Sequence, residues 1–165
     1  MMNKIERSPF NSSLESGVRS VIILHSLFPN SVDLHRLVDF DYLTVHSGDV
    51  NGPESLHAPL PMRAGELLVR REIVEKGLLL MMSRGLLTRI ATDTGIEYMA
   101  SDKSYSFVSN LASPYLVKLI ERADWVAENF GEKSEVEIKV MVKGFFDHWT
   151  SQFQPVNARS GEMHE

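Results

Sequence analysis

The sequence predicts a mainly α fold with one small β-hairpin, and three adjacent observations predict it. Glu66 to Ser83 has the length and residue types of a helix: Leu, Met, Glu, Arg and Lys, with no proline. Arg84-Gly85 ends that helix, because glycine accepts the left-handed conformation that helix termini favour. Leu86 to Thr92 then carries β-branched and apolar residues, Asp93-Thr94-Gly95 is a turn, and Ile96 to Ala100 alternates again. Leu87 to Ala100 is therefore expected to be a two-stranded wing, and this order of elements is the ending of a winged helix-turn-helix. At 165 residues the chain predicts one such core with C-terminal helices appended. The expected division is an N-terminal arm (1–11), a winged-helix domain (12–101), a C-terminal helical extension (102–153) and a disordered tail (154–165).

Taken in order, Ser12 and Glu15 have capping-box spacing, and Phe10 is placed to pack back on the first turn. The helix that follows puts Leu14, Val18, Val21, Ile22, His25 and Phe28 on one face, and Pro29-Asn30 stops it. A second helix starts near Ser31 or Asp33 and runs to about His46, with Leu34, Leu37, Val38, Tyr42 and Val45 inward. Ser47-Gly48 ends it. Ser47 to Pro61 reads SGDVNGPESLHAPLP, too rich in proline and glycine for helix. Loops of this length are usually functional or ordered by a partner; the alternative is a plain solvated insertion.

After the wing, Tyr105 to Leu111 predicts a short helix. Ser113-Pro114 restarts one, with serine as cap and proline in the first turn. Its stripe is Leu116, Leu119, Ile120, Ala123, Val126 and Phe130, and Gly131 closes it. Ser134 and Glu137 form another capping box. Val136 to Val142 alternates like a strand, but the cap and the Phe145, Phe146, Trp149 cluster favour a helix to about Gln152. The tail from Pro155, PVNARSGEMHE, is expected to be disordered.

Composition excludes several classes. The formal charge is −5 and the pI about 5.7, so the whole chain exerts no attraction on nucleic acid or anionic lipid. With no cysteine, disulfides, thiolate metal sites and a thiol nucleophile are ruled out. The start, MMNKIERSPFNSS, lacks the apolar core of a signal peptide, and no apolar run reaches membrane-spanning length. A cytoplasmic chain with no membrane partner is the expectation.

The long helix decides between partners. A DNA-reading helix presents a positive, polar outer face. Here Val69, Ile73, Val74, Leu78, Leu80 and Met81 cluster on the core side. Arg71, Glu72, Glu75 and Lys76 on the other side cancel in charge, and Leu68, Leu79 and Met82 fall among them. Large apolar residues between balanced charges point to a protein contact surface, unless the later helices fold back over them. Arg63, Arg70, Arg71, Arg84 and Arg89 leave a local basic potential, which keeps a DNA-binding transcriptional regulator as the alternative. Two charges fall within apolar stripes: Asp41 between the directions of Leu37 and Val38, and Arg70 among Ile73, Val74 and Met81. Each needs a partner, and pairing Asp41 with Arg70 is the economical solution, with His25 the second candidate.

Candidate chemistry is sparse. His46, Asp49, Glu54 and His57 are metal-ligand types in or beside the Pro-rich loop, but no recognised ligand spacing supports a site. His25 and His148 read as core or capping residues. No catalytic triad, phosphate loop or paired-carboxylate motif is visible, so the reading is a non-enzyme without metal or cofactor. Asp49, Glu54 and His57 are instead expected, with Leu68, Leu79 and Met82, at a protein interface.

The runs RSPFNSSLESGVRSVIILHSLFP, LHRLVDFDYLTVHSGDV, SLHAP and GELLVRREIVEKGLLLMMSRGLL resemble one family closely. It is the middle component of bacterial ABC-three-component systems, the group that includes Lamassu-type anti-phage defence. The resemblance covers roughly Asn3 to Phe130. It implies an accessory subunit acting with an SMC-like ATPase subunit and an effector subunit, often a nuclease, with DNA contacted only indirectly or through the complex. Where the family pattern is hydrophobic or aromatic after Leu37-Val38, this chain has Asp39, whose helical phase suggests an exposed position.

Overall fold

The computed structural model describes residues 12–59 and 63–153. The predicted arm, including Phe10, and the tail from Pro155 lie outside these residues, as do the side chains of Phe146, His148 and Trp149. Helix α1 (Ser13–Leu27) begins at Ser12, whose side chain accepts a hydrogen bond from the Glu15 amide at 3.1 Å. A two-residue strand β1 (Val32–Asp33) leads into α2 (Leu34–Val45), capped by Asp33 through the Arg36 amide. A 3-10 turn (Ser47–Val50) opens the Pro-rich segment. That corrects the expectation of no helical structure there: the four residues of the turn lie ahead of the segment's first proline, Pro53, and Asn51 at φ 58° closes the turn.

Helix α3 (Arg63–Ser83) is followed by β2 (Leu87–Thr92) and β3 (Gly95–Ala100). Gly85 adopts φ 72°. Its amide reaches the Met82 carbonyl while the Leu86 amide reaches Met81, so paired bonds satisfy two open carbonyls of the last turn. β2 and β3 pair antiparallel from Leu87↔Ala100 to Thr92↔Gly95. The expected hairpin is present, but the sheet has three strands, ordered β1-β3-β2, because Val32 and Asp33 pair with Tyr98 and Glu97.

Helix α4 (Asp102–Ser109) starts three residues before the predicted position, where acidic Asp102 suits the positive helix terminus. Helix α5 (Pro114–Phe130) is capped by Ser113 and α6 (Glu135–Phe153) by a reciprocal box: the Glu137 carboxylate accepts from the Ser134 amide, and the Ser134 hydroxyl from the Glu137 amide.

The core gathers Val21, Ile22 and Leu24 of α1, Phe40 and Leu43 of α2, Val74 and Leu78 of α3, Leu119 of α5 and Ile138 of α6. Because α1 lies between α3 and α5, it is buried on more than one face. Arg19, Ser20, Ile23 and Leu24 are buried, whereas Leu14 and Phe28, expected inward, are exposed. At the α1–α3 crossing the backbones meet at Gly17 and Gly77. A Cβ on Gly77 would lie 2.6 Å from the Gly17 nitrogen, so glycine permits the approach.

Candidate interaction surface

Helix α3 is anchored from below by charge. The structure brings Asp41 of α2 and Arg70 of α3 together, with Nη1 at 2.5 Å from Oδ2. Arg19 of α1 completes a triad through Nε at 2.6 Å from Oδ1 and Nη2 at 3.3 Å from Oδ2. His25, the second candidate partner, instead lies beside Ser104 and Tyr105 of α4. Asp41 is 0 % exposed, Arg19 4 % and Arg70 8 %. Burial pushes the Asp41 carboxyl upward, but the two guanidinia outweigh it and hold its pKa below the ordinary carboxylate range. Burial likewise opposes the Arg19 charge, and Asp41 outweighs it, so Arg19 is held more firmly protonated.

The polar cluster continues outward to the Pro-rich segment. Arg70 lies 5.6 Å from the centre of the Tyr42 ring, and the Tyr42 hydroxyl donates to Asp49. The His57 Nε2 is 2.7 Å from the Tyr115 hydroxyl of α5, and burial, aided by Arg19, His46 and Arg70, lowers the His57 pKa to about 4. Gly52 lies directly against the Trp125 indole, where a Cβ would be 2.3 Å from Cη2, and the Arg122 Nε donates to the Glu54 carbonyl at 3.1 Å. The segment is thus fastened to α5. Of its candidate interface residues, Glu54 is exposed, while Asp49 is buried and His57 half-buried. Among the described residues, no group of three or more His, Asp and Glu side chains could hold a metal ion.

The outer face of α3 remains open. Leu68 is 76 % and Leu79 59 % exposed, with Arg71, Glu72, Glu75 and Lys76 exposed between them. Val69, expected on the core side, is exposed as well: burial on α3 is centred on Arg70, Val74, Gly77, Leu78 and Met81, the face the Gly17 crossing selects. Met82 is half-buried against the core and does not join the open face. Helices α4 and α5 pack on α1 and α2 and leave Leu79 uncovered.

The family model for middle component 2 of ABC-three-component systems matches residues 9–152. The chain belongs to this family. No curated protein and no solved structure matches it. As the middle component of a multi-component system, it implies partner subunits. Among the described residues, no helix is long and apolar enough to cross a membrane.

Of the three buried charges, Arg19 carries no signal in the sequence. Its helix neighbours Ser16 and Ser20 are polar, so no apolar stripe marked it as a buried charge needing a partner.

Proposed function

We propose that this middle component is a non-catalytic adaptor that joins an SMC-like ATPase to an effector of nuclease type in a bacterial defence complex of the Lamassu kind. The family assignment supports an accessory subunit of a three-component system. The order helix, strand, helix, helix, strand, strand from α1 to β3 supports a winged-helix core, the position of α3 in it being that of a recognition helix. One observation carries the adaptor reading: the outward face of α3 offers Leu68 and Leu79 among two basic and two acidic residues, Arg71, Lys76, Glu72 and Glu75. That face suits a protein partner and gives no net attraction to phosphate. Leu68, Leu79 and Glu54 are the contact residues in this reading, while Met82, Asp49 and His57 support them from beneath. DNA is reached through the complex.

The test is co-expression with the subunits encoded beside the chain. Recovery of a stoichiometric complex, with no salt-sensitive DNA binding by the isolated chain, is the expected outcome. The opposite result, tight salt-sensitive binding to its own promoter and no complex, would mark a transcriptional regulator acting through the exposed Arg71, Arg84 and Arg89.

A further inference from the structure

Beside the open face of α3, a cavity of about 260 Å³ lies between α2, α3 and α6. Its walls are Val38, Leu68 and Val142, and Asp39 forms part of its lining. Asp39 corrects the sequence expectation: α6, about a hundred residues away in the chain, packs over it, and it is 5 % exposed. Its Oδ2 is sealed from solvent and accepts no hydrogen bond from any described residue. An unsatisfied buried acceptor is costly. Beside the exposed Leu68, the exposed lining residues are His35, Arg71, Lys139 and Lys143, which make the mouth basic, with Lys139 also bridging to Glu135 at 2.7 Å.

We infer that this cavity receives a single tryptophan or tyrosine side chain, flanked by acidic residues, from a partner subunit. The inference rests on the adaptor reading and specifies the chemistry of its partner. An aliphatic side chain would fill the walls but leave the Asp39 carboxylate without a donor. A lysine or arginine would satisfy Asp39 but would have to pass the like charges of Arg71, Lys139 and Lys143. An indole N–H or phenol O–H is a neutral donor on an apolar body, the combination that buried aromatic anchors require. Because Oδ2 is sealed as the carboxylate now stands, the donor reaches it only through a turn about the broad terminal torsion of aspartate that exchanges the two oxygens. Lysine and arginine at the mouth attract the π-face of the ring and acidic residues on either side. The space, equal to roughly eight or nine waters at about 30 Å³ each, admits one ring. Leu68 belongs to both the cavity and the open face of α3, so a partner seated on that face reaches the cavity without a separate approach.

The probe is a fluorescein-labelled peptide, Glu-Asp-Trp-Asp-Glu, followed by anisotropy against the full chain. Replacing its tryptophan by leucine, or its acidic residues by lysine, is expected to weaken binding at least tenfold. On the protein, Val142→Trp fills the cavity, and Arg71→Glu with Lys143→Glu reverses exposed charges without touching the core; each is expected to weaken binding at least tenfold. A lysine-flanked peptide that binds as well as the acidic one, or binding unchanged in the folded R71E/K143E variant, overturns the inference. The same variant in the co-expression experiment separates the two readings. A complex that assembles equally well with R71E/K143E removes the cavity proposal and leaves the adaptor. Peptide binding by a chain that recovers no subunit removes the adaptor reading alone.

Discussion

Replacing Asp41 by asparagine should destabilise the chain far more than replacing either arginine that meets it. Asp41 is fully buried and is the common counter-charge of Arg19 and Arg70. Its loss leaves two buried guanidinia facing a neutral amide, and breaking a buried pair from one side costs about 3–5 kcal/mol. Arg70→Met leaves Asp41 still bonded to Arg19 through two nitrogens. It removes one charge-assisted bond, about 1.5–3 kcal/mol, offset by the guanidinium that no longer needs burying. A loss of about 1–2 kcal/mol is expected from that balance. The third member changes the double-mutant outcome. Asp41→Leu with Arg70→Met leaves the buried Arg19 without its counter-charge and should stay nearly as unstable as Asp41→Asn. Only the triple replacement of Arg19, Asp41 and Arg70 by apolar residues should recover most of the loss. Urea unfolding followed by circular dichroism, with the m-value held as a check on two-state behaviour, measures each variant. An Asp41→Asn chain within about 1 kcal/mol of the parent would refute the reasoning, as would an Arg70→Met chain that is the less stable of the two.

Three further outcomes follow from particular contacts. Leu68→Glu with Leu79→Glu should leave folding within about 0.5 kcal/mol, since both are exposed, yet weaken complex assembly by on the order of 2 kcal/mol, about thirtyfold; pull-down and urea unfolding together check it, and intact assembly defeats it. Gly77→Ala would gain helix propensity in open space, but its Cβ meets Gly17 backbone 2.6 Å away, so the crossing must spread at about 1–3 kcal/mol, read as a melting-temperature drop of about 2–4 °C per kcal/mol. Asp39 and His57 should oppose each other with pH. Burial pushes Asp39 from 3.8 up to about 6, so between these values the folded chain holds more protons and stability falls as pH rises. His57 is lowered from 6.5 to about 4, so between those values the unfolded chain holds more protons and stability rises with pH. Removing the first through Asp39→Asn should expose the second as an extra loss of about 1–2 kcal/mol from pH 6 to pH 4, after allowance for solvent screening; a stability profile parallel to the parent's would count against it.

What was legible in the sequence divides by the range of the interaction responsible. Ser12 with Glu15 and Ser134 with Glu137 close hydrogen bonds within one helical turn, as Ser113 does with the Leu116 amide ahead of a proline that suits the first turn, so they read directly from adjacent letters. Gly85 and the Asp93-Thr94-Gly95 turn are local in the same sense, and they fix the helix end and the hairpin. The strand β1 has no such signal: two residues acquire strand geometry only because Tyr98 and Glu97 lie opposite them. The apolar stripe of α3 misplaces Val69, which is exposed, because hydrophobicity alone does not fix how a helix is rotated. The Gly17–Gly77 approach, which no apolar count registers, sets the rotation.

The buried charges show the same division within the candidate site. A charge inside an apolar stripe states that a partner is required, and that requirement is legible from α2 or α3 alone. It does not state how many partners there are. Two helices could have balanced Asp41 with Arg70 one to one; α1, wedged between α3 and α5, brings Arg19 to the same carboxylate. Asp39 is the converse case, since nothing local in α2 requires its burial. That burial comes with the packing of α6, with Val142 on one wall and Lys139 and Lys143 at the mouth. A carboxylate enclosed by a distant helix, with an oxygen that accepts no hydrogen bond from any described residue, costs this chain stability that an apolar residue at the site would spare. The inferred aromatic residue of a partner subunit would bring a hydrogen-bond donor to that carboxylate and so offset the cost on assembly.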